Sequence, residues 1–144
     1  MSATAQFHRL LLDTNVLLDF MIEERPESGY AVDIFRLCAN GAAKGMVGAA
    51  SLKDIYYISQ KYLGEQAARD FVRAFIAAFD VAPVDKALCA TAVDSDEPDF
   101  EDGLVRAAAE DNGADFIISR DTKANGRSKV RALTPREYVE LFGA

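Results

Sequence analysis

The 144 residues of the chain are enough for one domain with its own hydrophobic core and too few for two. Half of them are hydrophobic and 27% are charged, the balance of a globular chain, which sets aside disordered and fibrous classes. The formal charge of −7, from 16 basic and 23 acidic residues, speaks against a nucleic-acid partner held by overall charge.

The run Arg9-Leu10-Leu11-Leu12 is continuously apolar and stops at Asp13, as a strand buried on both faces of a parallel sheet does. A short helix is predicted over Thr14–Met21, then a break at Pro26-Glu27-Ser28-Gly29 and a helix over Tyr30–Asn40 closed by Gly41. Met46–Ala50 reads as the second strand. Ser51-Leu52-Lys53-Asp54 resembles a capping box, with aspartate for the usual glutamate, that opens a helix to Tyr62. Beyond Gly64, the residues Ala68, Phe71, Val72, Phe75, Ile76 and Phe79 recur at steps of three and four, the period of an amphipathic helix over Glu65–Phe79.

Val81–Val84 is a weak strand, moved to a sheet edge by Pro83, and Asp85 caps a helix through Val93. After a loop from Asp94 to Pro98, Asp99-Phe100-Glu101-Asp102 opens a helix through Glu110 that Gly113 ends, and Asp115–Ser119 repeats the design of the first strand. A strand at Val130–Ala132 precedes Thr134-Pro135-Arg136-Glu137, a capping box with proline at the first helical position, and a last helix to Leu141. Strands alternating with helices imply parallel crossovers and an α/β sheet of about five strands flanked by helices.

Some features point away from extended or membrane settings. No apolar run approaches the roughly 20 residues of a membrane span, and residues 1–6 lack the basic-then-apolar order of a signal peptide, so a cytoplasmic protein with a flexible start over residues 1–6 is expected. Cys38 and Cys89 stand in helical patterns without companions for a zinc motif and read as buried, reduced, structural thiols. Basic residues concentrate in one stretch: Arg120, Lys123, Arg127, Lys129, Arg131 and Arg136, with Asp121 the only acid before Glu137. Such a stretch is either a solvated loop or, if an active site lies beside it, a contact for phosphates.

Ligands of open α/β sheets sit beyond the carboxyl ends of the strands, and the chain leaves its two best strands through acids. Asp13 follows the first strand and Asp121 follows Asp115–Ser119. Asp99 and Asp102 project from one face of a helix start, and Asp54 stands at the corresponding point after the second strand. Converging, these carboxylates would suit the oxygen-rich, hydrated coordination of Mg²⁺ or Mn²⁺, and would repel one another without a cation. Each also has an innocent reading as a helix cap, a residue favourable to a helix dipole or a turn residue. Asp13 is the hardest to explain that way, because a carboxylate directly after a buried strand must be solvated by something.

The segments Leu11-Leu12-Asp13-Thr14-Asn15-Val16-Leu17-Leu18-Asp19, Ser51–Tyr57, Asp99–Asp102 and Ala114–Asp121 resemble, in order, the four motifs of the PIN-domain family, which includes the VapC-type toxins of bacterial toxin–antitoxin operons. The resemblance implies a PIN-like nuclease domain over residues 7–144 that hydrolyses RNA with Mg²⁺ or Mn²⁺. It implies a site formed by Asp13, Asp54, Asp99, Asp102 and Asp121, with Asn15 and Ser119 orienting ligands or water, an antitoxin partner and a homodimer. Asp54 is one methylene shorter than the family's usual glutamate and is expected to reach a metal through water. After Lys123 the family's aspartate–phenylalanine pair is replaced by Ala124-Asn125-Gly126.

His8, the only histidine, begins the first strand, far from its carboxyl end, so histidine acid–base chemistry and a Ser-His-Asp triad are not expected. Asn15 stands where a dehalogenase-type phosphatase needs a second aspartate. With Asp121 beside the basic stretch, Lys123 and Arg127 become the candidate RNA contacts. Surplus apolar surface is expected from Ile55, Tyr56, Tyr57, Ile58 and the Phe-rich helix, available for core or for self-association. The rival from another class is a PIN-like fold that binds RNA or protein and no longer cuts.

Overall fold

The computed structural model describes residues 7–22, 28–123 and 126–143. In chain order the elements are β1 (His8–Leu12), α1 (Thr14–Met21), α2 (Ser28–Ala39), β2 (Ala43–Gly48), α3 (Ala49–Leu63) and α4 (Glu65–Ala78), followed by β3 (Asp80–Ala82), α5 (Lys86–Asp94), α6 (Phe100–Asp111), β4 (Phe116–Ile118), β5 (Arg131–Leu133) and α7 (Pro135–Phe142). The strands form one sheet in the order β3-β2-β1-β4-β5. Every neighbouring pair is parallel, which gives the expected α/β architecture.

The sheet is covered on both faces, and the alternation of side chains along β1 assigns them. Leu10 and Leu12 point to one side, where they meet Val16 and Leu17 of α1, Ile34 of α2, Ile55 of α3 and Phe75 of α4. Leu11 points to the other, with Met46 of β2, Ile117 of β4 and Ala108 and Ala109 of α6. The Phe-rich helix delivers Ala68 and Phe75 to the interior, while Ile76 stays 53% exposed. Gly45 of β2 is required by this packing: a Cβ there would lie 2.6 Å from the Phe79 ring. Gly64, at φ 87°, separates α3 from α4 in a conformation that side chains rarely adopt.

Several boundaries differ from the sequence reading. The Pro26–Glu27 part of the expected break lies outside the described residues, and Ser28 and Gly29 already belong to α2. β2 ends at Gly48, and α3 starts at Ala49 with Gly48 as its N-cap, so Ser51 is an interior helical residue and not a cap. Its hydroxyl instead accepts a hydrogen bond from Thr14 Oγ1 at 2.8 Å, which ties α3 to the start of α1. Cys38 and Cys89 are free thiols, as expected, but only partly buried. Burial pushes the Cys38 thiol up to about 11, the state of an unreactive structural cysteine.

His8 lies at the amino end of β1, where its Nδ1 is 3.0 Å from Tyr138 Oη and its ring contacts Phe116 and Phe142 edge-on. Five residues of strand, about 16 Å, separate it from the opposite end of the sheet.

Candidate active site

The strand order turns back on itself between β1 and β4. The chain moves outward from β1 through β2 to β3, then returns past β1 to lay down β4 and β5. Crossovers leaving two adjacent strands in opposite directions open a crevice above their carboxyl ends. Asp13 enters this crevice from β1, and Ser119 and Asp121 enter it from β4.

A hydrogen-bonded network crosses the crevice and fixes Asp13. Its Oδ1 caps α1 by accepting from the Thr14 N–H at 2.8 Å. Its Oδ2 accepts from Ser119 Oγ at 2.8 Å. Ser119 Oγ also receives the Asp121 N–H at 3.0 Å and Asn15 Nδ2 at 3.3 Å. Both of these are donors, so the single hydroxyl proton has only Asp13 to go to. The fully buried Ser119 is thus a permanent donor to the carboxylate. Asn15 completes the loop by accepting the Arg120 N–H at 3.1 Å. Asp13 still sits above its ordinary carboxylate range, because burial outweighs the bonds from Ser119 and Thr14 and the charge of Asp121 adds to the effect.

The start of α6 brings the other acids. Asp99 is its N-cap, with Oδ1 accepting the Asp102 N–H at 3.1 Å. The helix stands this close to α5 because Gly103 has no side chain: a Cβ there would meet the Ala92 carbonyl oxygen at 2.9 Å. Asp102 is pushed up to about 6, first by desolvation and then by the charges of Asp99, Asp13, Glu97 and Asp121. Four carboxylates from three separate chain segments therefore act on one group. Asp54, on α3, lines the same cleft as Asp13 and Asp102, and its Oδ1 lies 3.5 Å from Lys53 Nζ.

Glu97 was not among the residues singled out from sequence. Its side chain is 1% exposed, with Oε1 at 3.4 Å from Arg106 Nη1. Its Oε2 has no hydrogen-bond partner among the described residues. Arg106 also bonds Asp96 and Glu110, and Glu110 Oε2 accepts from Ser128 Oγ at 3.0 Å and from the Lys129 N–H at 3.3 Å. This chain of bonds anchors the basic stretch to α6. Within that stretch Arg120 turns inward to Asp19, and Arg136 pairs with Glu140. Lys123 and Arg127 are exposed. Arg127 joins the Arg106 hydrogen bond in holding the Asp96 carboxyl below its usual range.

The donors in the crevice are all hard oxygens, the type that Mg²⁺ and Mn²⁺ take. Mutual repulsion at Asp102 and the unpaired Glu97 oxygen are both features that a cation would relieve. Among the described residues no three His, Cys, Asp or Glu side chains are grouped so that together they could hold a metal ion. That is compatible with an ion held through one or two carboxylates and its own water.

The family model of the PIN domain matches residues 9–123, most of the chain, and spans all of these acids. The chain belongs to the PIN-domain family. Its fold is similar to solved toxin and toxin–antitoxin structures at low identity. Against VapC20 of Mycobacterium tuberculosis, a sarcin–ricin loop cleaving toxin, the identity is 19% and the TM-score 0.61, over 75% of this chain and 86% of that one. A toxin–antitoxin complex from Klebsiella pneumoniae gives 20% and 0.65, over 88% and 97%. DNA-bound VapBC from Salmonella typhimurium gives 17% and 0.65, over 90% and 99%. No curated protein matches the sequence. In this PIN domain no helix among the described residues is long and apolar enough to cross a membrane.

Proposed function

We propose that this PIN domain is a Mg²⁺- or Mn²⁺-dependent endoribonuclease, the toxin of a toxin–antitoxin pair. The observation that supports the reading is Asp102, pushed up to about 6 first by desolvation and then by the charges of Asp99, Asp13, Glu97 and Asp121. The toxin assignment follows from the family and from the toxin complexes of the same fold.

Asp13, Asp99, Asp102 and Asp121 are the residues that would hold the ion, one or two of them directly and the others, with Asp54, through its water. Such an ion makes hydroxide available at neutral pH and offsets charge on the leaving oxygen of a phosphodiester. Ser119 aims Asp13 and favours its ionised form against the larger effect of burial, since its only proton is committed to that carboxylate. Asn15 holds Ser119 and the Arg120 amide in register. Lys123 and Arg127, on the rim, would meet the RNA backbone and compensate for the negative charge of the domain. His8, at the far end of β1, has no part in the chemistry.

Self-association belongs to the same reading. Ile55 is fully buried and Ile58 packs against the core, so the surface on offer is narrower than the sequence suggested. It consists of Tyr57, Tyr62, Leu63 and Ile76 on α3 and α4, between 49% and 75% exposed. A homodimer by light scattering at tens of micromolar is the expected state, and a monomer would overturn it.

The test of the function is cleavage of single-stranded and loop RNA in Mn²⁺, in Mg²⁺ and in EDTA, with Asp13→Asn as control. Cleavage lost in EDTA and in the variant supports the reading. Equal cleavage in EDTA overturns the metal mechanism, and RNA binding without any cleavage leaves a binding module.

A further inference from the structure

The crevice is one end of a larger cleft of about 530 Å³, within the roughly 300–1,000 Å³ typical of small-molecule sites. Asp13, Asp54 and Asp102 line one part of it. Val84, Leu88, Phe100 and Leu104 are among the apolar residues that line the rest of it. Resting on the nuclease reading above, we propose that this apolar part is a subsite for one unpaired nucleobase of a single-stranded RNA, stacked on Phe100.

Phe100 is the first residue of α6, and it lines the same cleft as Asp13, Asp54 and Asp102. It is 47% exposed and belongs to neither hydrophobic core cluster of the described residues. Leu104, one helical turn on, lines the cleft as well. Val84, 39% exposed, faces the cleft from the segment after β3.

A nucleobase suits these walls for three reasons. It is planar and can lie on an aromatic ring with either face. It hangs one sugar away from a phosphodiester, and the acids that would handle that phosphodiester share the cleft with Phe100. Apolar walls discriminate little among bases, which suits recognition by stacking rather than by edge. A paired base is excluded, because both of its faces are already stacked in a duplex. The subsite therefore selects single strands, loops and flipped nucleotides.

The chain contains no tryptophan, so Phe100→Trp carries a single indole reporter at the proposed stacking position. Titration of this variant in Mn²⁺ with a short single-stranded RNA should quench its emission to saturation. A blunt RNA duplex and inorganic phosphate should not. Moving one abasic ribose along the oligomer should find one position that abolishes the quench. In steady-state cleavage, Phe100→Ala should raise KM about 5- to 150-fold, the range that base–aromatic stacking spans, with little change in kcat, and Phe100→Trp should restore it. Val84→Trp, which adds bulk to the cleft from outside α6, should raise KM independently of any effect on that helix. Quenching by the duplex, or by the abasic oligomer at every position, overturns the proposal. Quenching with no cleavage upholds the subsite and overturns the nuclease reading. Cleavage with KM unchanged in Phe100→Ala and Val84→Trp does the reverse.

Discussion

Arg120 Nε meets Asp19 Oδ2 at 3.2 Å, in an ion pair whose acidic side chain is fully buried and whose basic side chain is 39% exposed. The same arginine donates its backbone N–H to Asn15, so one residue joins α1 to the segment after β4 at both its ends.

Arg120→Ala should cost about 2–3 kcal/mol, below the roughly 3–5 kcal/mol of a wholly buried pair because water reaches the arginine side. Asp19→Leu combined with Arg120→Met removes both charges and should recover most of the loss. Urea melts of the three variants check this. A single variant as stable as the parent would show that the pair contributes nothing to the fold.

Asp102 ionises near pH 6 in the folded chain, against roughly 3.9 when unfolded. Between these values the folded chain retains a proton that the unfolded chain has released, so its contribution to stability falls as pH rises from about 4 to 6 and is level above. Asp13, also raised, acts in the same direction. In EDTA, the difference in Tm between Asp102→Asn and the parent should grow in favour of the variant across this window. A difference independent of pH would remove the repulsion on which the cation argument stands.

Asparagine caps a helix about as well as aspartate, so Asp99→Asn keeps the bond to the Asp102 N–H and removes one charge. The metal-free variant should be as stable as the parent or more so, while its metal-induced stabilisation and its cleavage both diminish. For the parent, an ion at about 100 times its Kd adds roughly 2.7 kcal/mol, or about 5–11 °C in Tm. Identical Tm shifts in saturating Mn²⁺, with unchanged cleavage, would leave Asp99 as a cap alone.

Lys123→Ala and Arg127→Ala should each weaken RNA binding and flatten its dependence on salt, since every phosphate contact releases condensed counterions. Arg127 should have the smaller effect, because part of its charge is already spent on Asp96. Binding isotherms between 50 and 200 mM salt, a range over which several phosphate contacts produce large changes, check both. An unchanged slope returns the loop to a solvated role.

Much of this was legible because it is local. Asp85, Asp99 and Thr134 cap the helices they precede, as short-range backbone chemistry dictates, and Asp13, the acid hardest to explain as a cap from sequence, caps α1 as well. Ser51 misled because its pattern fits a cap equally well. What decided against it was β2 stopping at Gly48, a boundary set by pairing with β1 and β3 rather than by residues 49–54. Glu97 and Asp19 were missed for the opposite reason. In a Ser-Asp-Glu-Pro loop a glutamate looks solvated, and only Arg106, nearly two turns into α6, draws it inward. Asp19 sits in a run, Val16 to Asp19, that is buried all round, so no polar face of α1 marks it. The ordering of Ser119 by two donors was likewise invisible, because it depends on α1 and β4 being neighbours.

The sheet order also fixes when the site can exist during synthesis. β1 is made first, yet its partner β4 is residues 116–118, and the last of the acids follows at Asp121. Until that point is translated and released, the central strand has one bare edge, Asp13 lacks Ser119, and the cluster is missing a member. Domains form from the amino end as they emerge, and pairings this distant in sequence form slowly. A chain that stops before β4 leaves that edge of β1 unpaired and Asp13 without its bond from Ser119. The competence of the centre and the closure of the sheet arrive together, in the final fifth of the chain.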